Sequence, residues 1–190
     1  METVNIMIVG VGGQGSVLAS KMLGHLLLSQ GYDVKVSEVH GMSQRGGSVV
    51  TYVRYGDSVA SPIIDEGQAD YIVSFELREA ARWLKYLKKG GRIVTNTQQI
   101  DPMPVITGAA VYPEGLVDKM VAAGAKVDAM DCVSLAKEAG TVKAVNLVLL
   151  GRLSHYFDIP EEAWMASLEA CVPAKVVDIN KKAFALGHDS

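Results

Sequence analysis

An apolar run followed at once by a glycine-rich turn constrains this sequence more than any other feature. Val4–Val9 is continuously apolar apart from one asparagine, and Gly10-Val-Gly-Gly-Gln-Gly15 follows it directly. Between Gln14 and Ser29 the apolar residues then recur at helical spacing. A buried strand, a glycine turn and a helix in this order are typical of an α/β sheet, where the turn presents backbone N–H groups to a ligand.

The rest of the sequence alternates strand-like and helical patterns, and beyond Cys132 it is largely helical. This order predicts an α/β fold: a Rossmann-like, mainly parallel sheet flanked by helices, with a helical C-terminal third. We expect one domain over residues 1–190, because no repeat or linker interrupts the pattern. The predicted strands after the first are Asp33–Val39, Ser48–Tyr55, Ala69–Phe75, Arg92–Asn96 and Ala125–Ala129; the later helices are Glu76–Lys88, Pro113–Ala123, Ser134–Ala139, Lys143–Tyr156, Glu161–Ala170 and Ala174–Leu186; irregular connectors are Ser58–Gly67 and Asp101–Pro104.

Charge and apolar content exclude two classes of partner. The net charge is −3, whereas a general nucleic-acid binder carries a dominant basic surface. The lysines of Lys85–Lys89 are expected at the solvated end of a helix. No apolar run reaches the roughly 18 residues that cross a bilayer. We therefore expect neither nucleic acid nor membrane as a partner.

The two cysteines limit the redox chemistry of the chain. Cys132 and Cys171 are far apart in sequence and fit neither a disulfide framework nor a zinc site. An iron–sulfur cluster needs about four thiolates, so this chain cannot hold one alone. No metal site is predicted. A reduced, cytoplasmic setting is the simplest expectation.

A second glycine-containing stretch, which we call the octet, covers His40-Gly-Met-Ser-Gln-Arg-Gly-Gly47. Such a loop packs a core poorly, but it can bring N–H groups and one fixed positive charge to an anion. Arg45 could hold phosphate or carboxylate with two parallel hydrogen bonds, or form a salt bridge across a subunit interface.

The glycine turn alone does not identify its ligand. Gly10, Gly12 and Gly15 fit the G-x-G-x-x-G spacing, which many sheets use only to turn a corner. Glu38 is the only acidic candidate for a ribose contact, and the octet follows it where a dinucleotide fold has a helix. A structural or interfacial role for Glu38 is the alternative. Nicotinamide dinucleotide, another phosphate-bearing ligand and a purely structural turn all stay open.

The two motifs together resemble a known family. Ser37-Glu-Val-His-Gly-Met-Ser-Gln-Arg-Gly-Gly-Ser-Val49, with the glycine turn, is similar to the gamma-type domain of the 2-oxoacid:ferredoxin oxidoreductases, and most similar to their indolepyruvate branch. Ser61-Pro-Ile-Ile64, Ala69-Asp70 and Asn146-Leu-Val-Leu-Leu-Gly151 also match that family. The resemblance extends from the first strand to about residue 151, and the C-terminal third carries little of it.

The resemblance implies an enzyme subunit that acts only within a complex. Enzymes of this family decarboxylate a 2-oxoacid on thiamine diphosphate, transfer the acyl group to coenzyme A and pass two electrons through iron–sulfur clusters to ferredoxin. The thiamine diphosphate and the clusters would belong to a partner alpha subunit. This chain would hold no cofactor alone and would contact coenzyme A, and in isolation it could form a homodimer.

The resemblance also implies a set of site residues. No catalytic residue is certain, although His40 and Arg45 could assist the reaction. Asn96 and Asn146 could each contact a ligand or cap a helix. His25, His155 and His188 are expected on the surface or between helices. The predicted cofactor-binding residues are Gly12, Gly13, Gln14, Gly15, Ser43, Gln44, Arg45, Gly46, Gly47, Asn96 and Asn146.

Three alternatives remain at this point. The first is the gamma subunit of a related oxidoreductase that acts on pyruvate, 2-oxoglutarate or a branched-chain 2-oxoacid. The second is a stand-alone Rossmann-like protein that binds NAD(P) or a flavin. The third is a non-catalytic module that binds an anion at the glycine turn.

Overall fold

The computed structural model describes residues 1–38 and 46–190, and within these ranges six strands form one sheet. The strands are β1 (Val4–Val11), β2 (Asp33–Glu38), β3 (Ser48–Gly56), β4 (Ala69–Ser74), β5 (Leu87–Asn96) and β6 (Lys126–Met130). Their spatial order is β2-β3-β1-β4-β5-β6. β1, β4, β5 and β6 pair in parallel, whereas β3 runs antiparallel between β1 and β2. The mainly parallel sheet is therefore confirmed, with one reversed strand.

Helices cover both faces of this sheet. In the described ranges they are α1 (Ser16–Ser29), α2 (Leu77–Arg82), α3 (Met103–Ile106), α4 (Leu116–Ala122), α5 (Cys132–Ala139), α6 (Val145–Ser154), α7 (Glu161–Cys171) and α8 (Val177–His188), with short 3₁₀ helices at Leu84–Tyr86, Val142–Ala144 and Ala174–Val176. The predicted helical C-terminal third is confirmed.

β1 lies in the centre of the molecule and separates two cores. Successive side chains of a strand point to opposite faces. Ile6 and Ile8 pack into a core with residues of α1, α6 and α8, whereas Met7 and Val9 face a smaller core with residues of α2 and α4. All four side chains are fully buried. Burial on both faces explains why this strand reads as a continuous apolar run.

Helices α6 and α8 approach each other closely in the larger core. A Cβ atom placed on Gly151 would lie 2.1 Å from the carbonyl oxygen of Phe184. A Cβ atom on Gly187 would lie 2.0 Å from the carbonyl oxygen of Val148. Only glycine fits at either position, so two residues that normally weaken a helix set this helix crossing.

The predicted helix Glu76–Lys88 is too long. α2 ends at Arg82, and β5 begins at Leu87, which pairs with Ala69 of β4. The pairing then shifts register before Arg92, so that Lys88–Gly91 form a bulge. Strand pairing and burial of Leu87 outweigh the local helical pattern here. Lys85 lies in the 3₁₀ helix Leu84–Tyr86, whereas Lys88 and Lys89 lie in β5 and do not end a helix.

Smaller differences concern the ends of elements. Pro113 precedes α4 instead of lying in its first turn, because Gly115 in a left-handed conformation begins the helix. The connector Asp101–Pro104 leads into the short helix α3. The predicted last residue of β2, Val39, lies outside the described residues.

Candidate functional site

The glycine turn lies at the carboxyl end of β1 and needs glycine for geometric reasons. Gly13 and Gly15 have φ values of 97° and 93°, in the left-handed region. A Cβ atom on Gly10 would lie 2.9 Å from the Cβ atom of Phe75, so that position has no room for a side chain. The turn can therefore bring its backbone close to neighbouring groups.

The Gln14 side chain points back into the protein. Its Oε1 accepts a hydrogen bond from the N–H of Val11 at 2.8 Å, and its Nε2 donates to the carbonyl oxygen of Phe75 at 3.1 Å. The amide also donates to Gln98 Oε1 at 3.3 Å. Gln14 thus fixes the shape of the turn.

The amino terminus of α1 is open to an anion. Gly15 occupies the N-cap position, and no side chain among the described residues caps it. The first turn of the helix contains no acidic residue. The first N–H groups of a helix have no intrahelical acceptors, and the helix dipole adds positive potential there.

The turn separates two clefts at this edge of the sheet. The smaller cleft has a volume of about 240 Å³ and lies beside β3 and the end of β2; its lining is Gly12, Gly13, Ser16, Val17, Glu38, Val49, Val50 and Thr51. The larger has a volume of about 480 Å³ and lies beside the start of α6; its lining is Gly13, Gln14, Gly15, Leu18, Gln98, Ile100, Val142, Lys143, Val145 and Asn146.

The end of the octet lies against the glycine turn. The carbonyl oxygen of Gly47 accepts a hydrogen bond from the N–H of Gly12 at 2.9 Å. Gly46 has a φ of 101° and open space where a side chain would be. The structure thus brings the two motifs together at Gly12, Gly46 and Gly47. The predicted residues His40, Ser43, Gln44 and Arg45 lie outside the described residues.

A buried carboxylate holds the residue that follows the octet. The Glu79 side chain is fully buried, and its Oε2 accepts a hydrogen bond from the Ser48 hydroxyl. Its Oε1 accepts from Arg78 Nη2 at 3.0 Å and from Arg82 Nε at 3.1 Å. Two guanidinium groups therefore compensate the buried charge. Sequence reasoning missed this cluster, and its only signal was the Arg-Glu-Ala-Ala-Arg82 charge pattern.

A second buried carboxylate, Glu76, anchors the segment after β5. It caps α2 through the N–H of Glu79 at 2.8 Å, and its Oε1 accepts from the N–H of Ile100 at 3.1 Å and from the Tyr112 hydroxyl at 2.5 Å. Burial raises the pKa of Tyr112, and the hydrogen bond to Glu76 raises that pKa further. Glu76 was also missed, because an acidic residue at a helix start usually lies on the surface.

Asn96 lies beneath the site, and Asn146 lies in it. The Asn96 side chain is fully buried: its Nδ2 donates to the carbonyl oxygen of Phe75 at 3.1 Å, and its Oδ1 accepts from the N–H of Cys132 at 3.2 Å. Its amide therefore ties β5 to the start of α5. Asn146 Nδ2 lies 3.5 Å from the carbonyl oxygen of Gly15 and lines the larger cleft.

Glu38 lies at the smaller cleft, whereas His25, His155 and His188 make contacts elsewhere in the fold. Glu38 lines the smaller cleft, and its Oε1 accepts from the Ser20 hydroxyl at 2.7 Å. His25 contacts Ser167 between α1 and α7 at 3.2 Å. His155 and His188 are distant in sequence, but their rings stack with centroids 4.3 Å apart. Both follow the glycine turn by more than a hundred residues in the sequence.

Two classes of site are absent from the part of the chain that the structure describes. Residues 1–38 and 46–190 contain no group of three or more histidine, cysteine or acidic side chains placed to bind a metal ion. No helix in these ranges is long and apolar enough to cross a membrane.

The fold and the candidate site define an α/β protein. Its glycine-rich turn, of the kind that binds ligands, lies at the carboxyl edge of the sheet. The family model described as pyruvate ferredoxin/flavodoxin oxidoreductase matches residues 5–190, and the chain belongs to this family.

Two relatives support this assignment to the family, and one solved structure shares the fold. The chain is 46% identical over 194 residues to indolepyruvate oxidoreductase subunit IorB of Thermococcus kodakarensis, with 98% of this chain and 95% of the relative covered. Identity to the IorB subunit of Pyrococcus horikoshii is 46% over 192 residues, with the same coverage of 98% and 95%. Among solved structures, pyruvate oxidoreductase subunit PORC of Thermotoga maritima has the same fold, with a TM-score of 0.76, 22% identity and coverage of 100% and 97%.

Proposed function

We propose that this chain is the subunit without iron–sulfur clusters of a thiamine-diphosphate-dependent 2-oxoacid:ferredoxin oxidoreductase, and that the substrate is indolepyruvate or another arylpyruvate. The complex would convert the 2-oxoacid and coenzyme A to acyl-CoA and CO₂ and pass two electrons to ferredoxin. The full-length similarity to two indolepyruvate oxidoreductase subunits carries the proposal. The hydrogen bond between Gly12 and Gly47 supports it, because it joins the two motifs into one site.

The residues of this chain do not fit the electron carriers, so we assign those to a partner. The whole sequence contains 2 cysteines, whereas a cluster needs about four thiolates. Burial raises the pKa of Cys132, which opposes the thiolate form that metals bind. We therefore assign the clusters and thiamine diphosphate to an alpha subunit, and the complex to the reduced cytoplasm.

We assign contact with coenzyme A to the glycine turn. Coenzyme A carries several phosphates. The open amino terminus of α1 favours a negatively charged group of this kind. Lys143 and Asn146 line the larger cleft beside it and could add a charge and an amide. We also propose that Arg45, Ser43 and Gln44 of the octet contact this ligand and that His40 assists the reaction.

We assign the contact with the partner to an exposed apolar segment after β5, residues 101–111. Met103 is 66% exposed, Ile106 65% and Val111 86%. Glu76 holds both ends of this segment through Ile100 and Tyr112. Side chains of this kind favour burial at an interface, so the isolated chain would self-associate there. The whole of residues 1–190 would act as one gamma-type domain in the complex.

One observation favours a dinucleotide instead. Glu38 and Gly12 line the same cleft, in the positions where a Rossmann fold contacts ribose and pyrophosphate. The cleft holds only about 240 Å³, however, which is less than the roughly 300 Å³ at which ligand pockets usually begin. A rise in melting temperature with NAD(P)H but not with coenzyme A would favour this alternative.

Co-expression with the alpha partner tests the proposal. Anaerobic ferredoxin reduction is measured with indolepyruvate, pyruvate and 2-oxoglutarate in the presence of coenzyme A, for the complex and for each chain alone. We expect kcat/KM for indolepyruvate to exceed the others by about tenfold or more, and no turnover by this chain alone. A preference for pyruvate would end the arylpyruvate assignment, and turnover by the isolated chain would end the subunit assignment.

A further inference from the structure

The amino edge of the sheet, opposite the glycine turn, carries a basic cleft that the proposed function does not use. It is built where β4, β5 and β6 begin, and the bulge Lys88–Gly91 forms one wall. Gly90 has a φ of 76°, a conformation that favours glycine, and it lets the bulge fold over the cleft. The volume of this open cleft is about 260 Å³.

Two cations, Arg92 and Lys126, lie side by side in this cleft, and the carboxylate of Asp70 also lines it. Arg92 and Lys126 are register partners on β5 and β6, so their side chains are neighbours on one face. No carboxylate among residues 1–38 and 46–190 forms an ion pair with either of them. Like charges at such positions repel each other, and a bound anion would remove the repulsion.

The acidic residues nearest to these cations are already bound. Asp70 accepts from the N–H of Asn5 at 2.8 Å and forms an ion pair with Lys88. Asp128 accepts from Arg152 Nε at 2.7 Å and from the Tyr156 hydroxyl. Within residues 1–38 and 46–190, these bonds leave Arg92 and Lys126 without a carboxylate partner.

The Arg92 guanidinium is held in a fixed orientation. Its Cζ lies 3.9 Å from the centre of the Tyr156 ring. A cation above an aromatic face is attracted to it, and the planar group then keeps its N–H edges free for a ligand in the plane. The hydrogen bond from Tyr156 to Asp128 fixes the ring. The Arg92 guanidinium is therefore oriented to form two parallel hydrogen bonds, a bidentate contact, with an oxyanion.

We propose that this cleft is a phosphate-binding site, in which Arg92 donates two hydrogen bonds and Lys126 flanks the anion. A second cleft of about 540 Å³ shares Lys88 and Gly90 with it, and Leu84, Leu87 and Ala123 line its far side. The ligand is free phosphate or a phosphate ester, and in the ester the organic part occupies the second cleft.

Isothermal titration calorimetry of the full chain, with inorganic phosphate in one arm and ADP in the other, tests the site in buffer of low ionic strength. We expect saturable binding that depends on Arg92 and Lys126. Equal affinity in the two arms identifies free phosphate as the ligand, and tighter binding of ADP identifies an ester. Absence of saturable binding in both arms at millimolar concentration overturns the proposal.

Variants locate the bound anion. We expect Arg92→Gln to weaken binding about tenfold and Lys126→Gln about threefold, since Arg92 makes the two-pronged contact. Arg92→Lys keeps the charge without the planar fork and should lie between them. Thermal unfolding of each variant without ligand shows whether it is folded, and Lys126→Gln removes an exposed charge that packing does not need.

Two control variants remove the same charge elsewhere. Lys137→Gln lies on α5, and we expect no change in affinity. Lys143→Gln lies beside the glycine turn and detects an anion that is bound there. If Lys143→Gln weakened binding while Lys126→Gln left it unchanged, the anion would be at the glycine turn, and the proposal would be wrong. That outcome would leave the proposed enzymatic function intact, so the two failures are distinguishable.

Discussion

The C-terminal helical layer and the carboxyl edge of the sheet are held together by different forces. In the helical layer, α6 and α8 touch backbone to backbone through Gly151 and Gly187. At the carboxyl edge, the fully buried carboxylates Glu76 and Glu79 bind the loops that frame the site. The helix crossing should tolerate no added atom at its two glycines, whereas the loops that frame the site should be most sensitive to the loss of a charge or hydrogen bond.

Gly151→Ala should have the largest effect on stability. The new methyl group would overlap the carbonyl oxygen of Phe184 at 2.1 Å, so the helices must separate. We expect the free energy of unfolding to fall by about 3 kcal/mol, measured by urea denaturation. Gly24→Ala is the matched control, because its Cβ would lie 3.6 Å from the nearest atom. Helix propensity should make that variant up to about 1 kcal/mol more stable. Equal effects would refute the close crossing.

Glu79→Gln should come next. The neutral amide leaves Arg78 and Arg82 without their counter-charge, but 21% and 49% of these side chains is exposed, which limits the loss. We expect a decrease of about 2 kcal/mol in the free energy of unfolding. Arg82→Gln removes only the more exposed cation and should cost less than about 1 kcal/mol. If both variants unfolded at the same urea concentration, the buried carboxylate would not be the anchor.

Tyr112→Phe should cost about 1.5 kcal/mol at neutral pH, because the hydrogen bond to Glu76 and the one from the N–H of Arg78 are both lost, while the bond from Ile100 to Glu76 remains. The pKa of Tyr112 is raised in the folded protein. Its contribution is therefore complete below the ordinary tyrosine pKa of 10.0 and is lost as pH rises above it. Urea denaturation at increasing alkaline pH should show a shallower decline for the variant than for the wild type. An identical decline would contradict this role.

Ile106→Glu should have the smallest effect on stability and act on assembly instead. Its side chain is 65% exposed, so the free energy of unfolding should change by less than about 0.5 kcal/mol. Co-purification with the alpha partner should decrease strongly, since a charge is costly in an apolar interface. Val121→Glu, at a side chain 51% exposed on α4, is the control and should assemble normally. Normal assembly of Ile106→Glu would move the interface elsewhere.

The sequence was most informative where local chemistry determines structure. β1, the glycine turn and α1 were predicted because a buried central strand is apolar throughout and glycine permits the turn. β5 was misjudged because the pairing of Leu87 with Ala69 depends on residues distant in sequence. The α6–α8 crossing was not predictable either. In the sequence Gly151 and Gly187 only lower the helix propensity of two separate segments, and their close approach to the opposite helix depends on the packing of α6 against α8.

The candidate site was predictable only in part. The proximity of Gly12 and Gly47 agrees with the pairing of two glycine motifs. Glu76 and Glu79 escaped notice because acidic residues in a helix with arginines usually face solvent. Gln14 was predicted to belong to the anion-facing turn, and its side chain also fixes the shape of that turn. The roles of His40, Ser43, Gln44 and Arg45 stay predictions from the sequence.

Arg45→Lys in the co-expressed complex tests most directly whether the octet of this chain takes part in the proposed coenzyme A site. Lysine keeps the positive charge but cannot reproduce a two-pronged contact. We predict that the variant complex assembles normally, as judged by size-exclusion chromatography, while its kcat/KM for indolepyruvate falls by about tenfold or more. An unchanged kcat/KM in a fully assembled complex would contradict a role for this loop in the site.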